Sequence, residues 1–157
     1  MQKLTPFLWF NDKAEEAMNF YVSIFKNSKV VSISRYGEAG PGPKGSVMTA
    51  TFQLDGQEFT ALNGGPQFTF TEAISFYVDC KTQQEVDELW DKLSAGGEKG
   101  QCGWLKDKYG LWWQIVPSIL GKLLGDKDAD KAKRVMQAML QMDRLDIASL
   151  QQAYDRG

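Results

Sequence analysis

The sequence predicts an α+β fold: two tandem βαβββ modules and a C-terminal helical extension. Three observations predict it. The order strand, helix, strand, strand, strand is written twice, matched positions recur at near-constant offsets, and the helices and hairpins carry their own start and stop signals. Leu8 matches Phe76 at an offset of 68 residues, and Ala17 with Val86 and Tyr21 with Trp90 match at 69. The hairpin Asp55-Gly56 falls on Tyr109-Gly110 at 54, the shortfall being the length of a Gly/Pro-rich loop in the first half.

The first half reads as follows. Lys3 to Phe10 is short, aromatic and apolar, a strand whose Pro6 places it at an edge or a bulge. Asn11-Asp12 offers a helix N-cap, and Ala14, Ala17, Met18, Tyr21, Val22 and Phe25 follow at helical spacing, predicting an amphipathic helix over residues 13–25. Asn27-Ser28 breaks it. Lys29 to Tyr36 alternates as a half-buried strand, and residues 37–45 are too rich in Gly and Pro to be anything but a loop. Ser46 to Leu54 and Gln57 to Leu62 are strands joined at Asp55-Gly56, a strong hairpin signal.

Residues 63–72 connect the halves; no Lys-Ser/Thr follows and no helix starts there, so they do not form a phosphate-cradling loop. Ile74 to Asp79 is the next strand. Thr82, with Glu85 three residues on, makes a capping box for a helix through Ser94, whose apolar stripe is Val86, Leu89, Trp90 and Leu93 and which Gly96-Gly97 ends. A short segment at residues 99–101, Cys102 to Lys106, and the run after the Asp107 to Gly110 turn complete the second module.

The last third is helical. Ile119, Leu120, Leu123 and Leu124 make a short apolar helix. Residues 128–142 place Ala132, Val135, Met136, Met139, Leu140 and Met142 on one face. Asp146 caps a final helix carrying Ile147, Leu150 and Tyr154. The predicted layout is a paired-module domain over residues 1–117, with modules at about 3–62 and 73–117, and a helical extension over 118–157 packed on that domain or on a dimer partner.

Composition narrows the function classes. The chain has 157 residues, 43% hydrophobic and 24% charged, and no run approaches the ~20 apolar residues of a membrane helix. Lys and Arg total 18 against 20 acidic residues, a balance that leaves no electrostatic footprint for a polyanion. Neither nucleic acid nor a membrane is an expected partner. The N-terminus lacks the apolar region and cleavage site of a signal peptide, so the cytoplasm is the expected location. Cys80 and Cys102 stand too far apart for a CxxC motif and read as buried thiols. Histidine is absent altogether, which excludes a Ser-His-Asp triad, a Cys-His pair and any histidine-built zinc or iron site.

Residues 107–117 hold the densest β-forming run: two tryptophans, Ile and Val, with one amide, Gln114, set among them. Two roles are open for that amide, a cross-strand hydrogen bond within the sheet or a polar anchor in a cavity.

Three motifs stand out in the modules. They are Asn11-Asp12-x-Ala14-x-x-Ala17-x-x-Phe20-Tyr21, Leu62-Asn63-Gly64-Gly65-Pro66-x-Phe68-x-Phe70 and Asp107-Lys108-Tyr109-Gly110-x-x-Trp113-Gln114-Ile115-Val116-Pro117. With the two-module architecture over residues 3–117 and the stretch Lys133 to Leu150, they resemble the vicinal-oxygen-chelate superfamily, and within it the PhnB-like branch. The resemblance implies that the two modules form a curled mixed sheet, a half-open barrel around a cleft with helices outside, and that the chain is a homodimer. In metal-using members such as glyoxalase I, side chains on the first and last strands of each module chelate a divalent ion. Carried over, those slots fall on Thr5, Thr60, Ala73 and Gln114. Enzymes of the superfamily fill them with His, Glu or Gln, whereas a divalent cation held by two threonines, an alanine and one amide lacks the hard or nitrogen donors that repay its dehydration. No metal and no cofactor are therefore expected; Pro6, Leu62 and Ile74, one register away, are no better, and Glu58 and Glu72 are the carboxylates nearby.

Alternation along the strands then sorts a ligand pocket. Thr5, Phe7 and Trp9 line it from the first strand, Glu58, Thr60 and Leu62 from the fourth, Ser75 and Tyr77 from the fifth, and Trp112, Gln114 and Val116 from the last. The set is aromatic and mostly uncharged, suited to a flat or apolar small molecule held by burial and stacking. The expected function is metal-independent small-molecule binding. Alternatives are a lyase, isomerase or dioxygenase-type enzyme working through Glu58, Glu72 or a metal, and methyl transfer, a label relatives carry, which is disfavoured because no Gly-rich loop follows a first parallel strand to hold S-adenosylmethionine. A plain reading of Trp9, Trp104 and Trp112 as core filling a collapsed cleft stands beside these.

Overall fold

Strand alternation with a helix between the first two strands buries one face of a sheet under that helix and leaves the other face open. In the computed structural model, which describes residues 2–156, this happens twice, in two compact units, Met1–Phe70 and Thr71–Gly157. The first unit contains β1 (Phe7–Phe10), α1 (Ala14–Ile24), β2 (Lys29–Arg35), β3 (Val47–Leu54) and β4 (Gln57–Asn63). Its sheet runs β1-β4-β3-β2, with β1 parallel to β4 and the other pairs antiparallel. Leu8, Phe10, Ala50, Phe52, Phe59 and Ala61 face inward against Ala14, Ala17, Met18 and Tyr21 of α1. Phe52 stacks on Phe59 with centroids 5.6 Å apart. Burying each large side chain of this kind stabilises the unit by about 1.5–3 kcal/mol.

The second unit repeats the order with β5 (Ser75–Cys80), α2 (Gln83–Ser94), β6 (Glu98–Lys99), β7 (Trp104–Lys106) and β8 (Trp112–Pro117). The sheet runs β5-β8-β7-β6 with the same senses of pairing, so the duplication holds at the level of topology. Thr82 accepts a hydrogen bond from Glu85 N at 3.1 Å and Glu85 reaches back to Lys81 N at 2.9 Å, the cap the sequence announces.

Three helices follow in the same unit: α3 (Ile119–Leu124), α4 (Ala129–Met139) and α5 (Ile147–Asp155). Leu120, Leu123, Val135, Leu145 and Leu150 close a core with Val116. Polar bonds fix them to the module. Gln83 donates to Leu145 O and accepts from Ile147 N, while Cys102 N and Gly103 N donate to Met142 O and Asp143 O, both at 2.8 Å. Among the described residues no helix is long and apolar enough to cross a membrane.

Several local expectations are corrected. The sequence predicts a half-buried β2, but six of its seven residues are exposed, because α1 lies over β3 and leaves this edge strand uncovered. The N-cap of α1 is supplied not by Asn11 or Asp12 but by Asn63, whose Oδ1 accepts from Ala14 N at 2.8 Å while its Nδ2 donates to Val47 O at 3.1 Å. Val116 shares the side of β8 with Gln114 but is buried, since the C-terminal helices cover that end of the strand. On α4, Val135 and Met139 pack inward while Met136 and Leu140 lie exposed, so the methionine stripe is only half used.

Candidate functional site

The second sheet presents its open face through one tightly held hairpin. Asp107, only 2% exposed, accepts from Tyr109 N at 2.9 Å, Leu111 N at 3.1 Å and the indole Nε1 of Trp113 at 2.9 Å. Gly110, at φ 90°, supplies the left-handed turn residue, and its N–H donates to Asp107 O at 2.9 Å. With Trp113 locked on the buried face, period-two alternation puts Trp112 and Gln114 on the open one.

The register builds two rows across that face. Tyr77 pairs with Gln114 and Gln114 with Trp104; Ser75 pairs with Trp112 and Trp112 with Lys106. Trp104 and Trp112 meet edge to face, centroids 6.4 Å apart. Gln114 Nε2 donates to Ser75 Oγ at 2.9 Å, so the cross-strand bond exists, yet Gln114 remains half-buried and its Oε1 accepts from no described residue. Lys106 Nζ lies 5.9 Å from the Trp112 centroid and 3.3 Å from Glu98, which offsets its charge.

A cavity of about 400 Å³ opens here, lined by Glu72, Gly100, Gln101, Trp104 and Trp112. Gly100 is required by close approach: a Cβ there would lie 2.7 Å from the carbonyl oxygen of Trp104, to which Gly100 N donates at 2.8 Å. Of the sequence-predicted pocket, Trp112 lines this cavity, and Ser75, Tyr77 and Gln114 share its sheet face. The sequence marks Glu72 and Trp104 outside the pocket set and carries no local signal at Gly100 or Gln101. The signal for Trp104 is its position opposite Gln114, which a three-residue strand is too short to show by alternation.

Two titratable groups of β5 have raised values, Tyr77 on the open face and Cys80 on the buried face at the far end of the strand. Burial pushes the Tyr77 phenol up, with Asp79 and Cys80 adding to it, although the ring as a whole is 59% exposed. Burial, reinforced by Glu85 and Asp79, pushes the Cys80 thiol up to about 12.

The first unit carries the remaining predicted residues. Phe7 and Trp9 on β1 pair with Thr60 and Leu62 on β4, and Glu58 lies on the same side of β4. Phe7 is 60% exposed, but Trp9 is tied down, its Nε1 donating to Gly65 O at 2.9 Å and its ring meeting Phe68 edge-on at 4.9 Å. Thr60 Oγ1 is 3.2 Å from Thr51 Oγ1. Thr5 precedes β1 and accepts from Gln2 Nε2 at 3.3 Å, and Ala73 precedes β5, so neither stands in a strand.

The metal slots fare no better with geometry in hand. Thr60 already has a side-chain partner, Ala73 brings no donor, Gln114 offers a single neutral amide oxygen, and the described residues contain no group of three or more His, Cys, Asp or Glu placed to hold an ion. These side chains do not fit a divalent cation. The register also refines the repeat. If Trp9 and Tyr77 are equivalent, Gln114 answers to Leu62 rather than to Thr60, a shift of two residues that arises because the strand arm between the turn and Gln114 is shorter than the arm between Gly56 and Leu62. A two-residue shift leaves every side chain on its predicted face.

Comparison with known proteins follows the modules. Residues 2–116 match the family model described as 3-demethylubiquinone-9 3-methyltransferase. A PhnB protein of Bacillus cereus, provisionally named a 3-demethylubiquinone-9 3-methyltransferase, is 48% identical over 74% of this chain and 99% of that one, with a TM-score of 0.68. Two more distant structures share the fold alone. A Pseudomonas aeruginosa protein is 19% identical over 74% of this chain and 98% of its own, with a TM-score of 0.63. The fosfomycin resistance protein FosX of Listeria monocytogenes is 18% identical over 80% and 98%, with a TM-score of 0.55. No curated protein matches the chain.

Proposed function

The chain belongs to the 3-demethylubiquinone-9 3-methyltransferase family, the PhnB-like branch with the vicinal-oxygen-chelate type of fold, and within it we propose that it binds a small, flat organic molecule on the aromatic face of its second unit, without a metal ion. The observation that carries this reading is the cavity of about 400 Å³ between Trp104, Trp112 and Glu72, inside the roughly 300–1,000 Å³ range of small-molecule sites. Two indoles supply stacking area at little conformational cost, and Gln114, Ser75 and Tyr77 on the same face supply hydrogen-bonding groups to orient a ligand.

The family name speaks of methyl transfer, but β1 runs into α1 through Asn11-Asp12-Lys13, a turn with no glycine to let backbone approach S-adenosylmethionine closely. For an enzymatic role the cavity offers one proton acceptor, Glu72, while the Cys80 thiol is buried and held protonated. The reading includes a cytoplasmic homodimer; Val30, Val31 and Ile33 exposed on edge strand β2 support a second copy covering that surface.

The test is tryptophan fluorescence and calorimetry against a set of aromatic compounds, with S-adenosylmethionine in the same series. Saturable, stoichiometric quenching by aromatic compounds, lost in Trp112→Leu and absent with S-adenosylmethionine, is expected. Tight S-adenosylmethionine binding, or failure of the whole aromatic set, overturns the reading.

A further inference from the structure

The geometry points to a positively charged ligand: an aromatic amine or quaternary ammonium compound whose cation sits between Glu72 and the two indoles. This inference rests on the binding site proposed above and names the charge of its occupant. Three observations converge. None of the five lining residues, Glu72, Gly100, Gln101, Trp104 and Trp112, is cationic, and one is a carboxylate. Glu72 forms no ion pair with a described residue, so its charge is uncommitted, unlike that of Glu98, which Lys106 occupies at 3.3 Å. The walls are indoles, the aromatic side chains that hold cations best over their faces.

The same inventory disfavours an anion, because no Lys or Arg lines the cavity and Lys106 is charge-paired outside it. Gln114 adds selectivity of the same sign. Its amide group donates to Ser75 and leaves Oε1 as an acceptor on the open face, suited to an ammonium N–H. Because Glu72 is exposed, its attraction is screened by salt, whereas the indole contacts are not.

The experiment compares three probes of one shape class on the whole chain: benzyltrimethylammonium, benzyl alcohol and phenylacetate, titrated by tryptophan fluorescence at low and high salt. Expected is an order cation, neutral, anion, with about a tenfold preference for benzyltrimethylammonium over benzyl alcohol that shrinks in high salt. Glu72→Gln, at an exposed position and with circular dichroism confirming an unchanged fold, should reduce that ratio severalfold. Equal affinities for cation and neutral probe, or a preference for phenylacetate, overturn the inference while leaving the aromatic site standing. Failure of all three to quench overturns both.

Discussion

Replacing Asp107 tests whether one buried carboxylate holds the hairpin that aims Trp112 and Gln114. In Asp107→Ala three donors lose their acceptor. Tyr109 N is half-buried and can turn to water, but Leu111 N and Trp113 Nε1 are buried and cannot. At about 1.5–3 kcal/mol for each hydrogen bond to a charged group, discounted for the solvated donor, the loss comes to about 4 kcal/mol. Asp107→Asn is the sharper perturbation. Its one carbonyl can serve either the two backbone amides or the indole, and the NH₂ then faces a donor, a loss of about 2 kcal/mol. Trp113→Phe in the Asn background removes the opposing indole donor, so the two substitutions should couple favourably. Urea denaturation at neutral pH gives the free energies, and near-ultraviolet circular dichroism reports the packing of Trp113. A loss under 1 kcal/mol for Asp107→Ala, or an Asn variant less stable than the Ala variant, would refute the reasoning.

Three further outcomes follow from the same kind of accounting. Asn63→Ala should cost about 1–2 kcal/mol in urea denaturation, because it removes the cap at Ala14 N and the bond to Val47 O together, whereas Asp12→Ala should be near neutral. Asp146 is held below the usual carboxylate range first by the Ser149 hydroxyl and then by Ser149 N, so its folded pKa is depressed. The stabilisation is present above the unfolded value near ~3.9 and is lost as pH falls through the lower folded value; Asp146→Ala should cost about 1 kcal/mol at neutral pH and less in acid, in paired urea titrations. The Cys80 thiol, buried and with its pKa near 12, should resist iodoacetamide in the native protein at pH 8 and react in urea, as peptide mass spectrometry can follow.

The sequence by itself determined what depends on neighbours a few residues away. The hairpin at Asp55-Gly56, the Thr82 and Glu85 cap, the Asp146 cap and the turn opening at Asp107 are short-range chemistry, and all stand where the pattern puts them. The two βαβββ orders follow because each run buries one face, and the face assignments of Phe7, Trp9, Thr60, Ser75, Tyr77, Trp112 and Gln114 survive even a two-residue error in register, since strand side chains repeat every two residues.

Tertiary structure alone decided which of those faces is covered and who completes each site. Asn63 caps a helix that starts 49 positions earlier in the chain, and α1 shields β3 but not β2, so Val30 and Val31 stay exposed despite a pattern that reads as half-buried. Val116 shares a side of β8 with Gln114 but is sealed by helices from the far end of the sequence. The open cavity is lined in part by Gly100 and Gln101, residues without a local signal, because Gly100 lets the backbone approach Trp104 O. Periodicity states that a face is apolar; only the contacts made by distant segments determine whether that face becomes core, open surface or pocket wall.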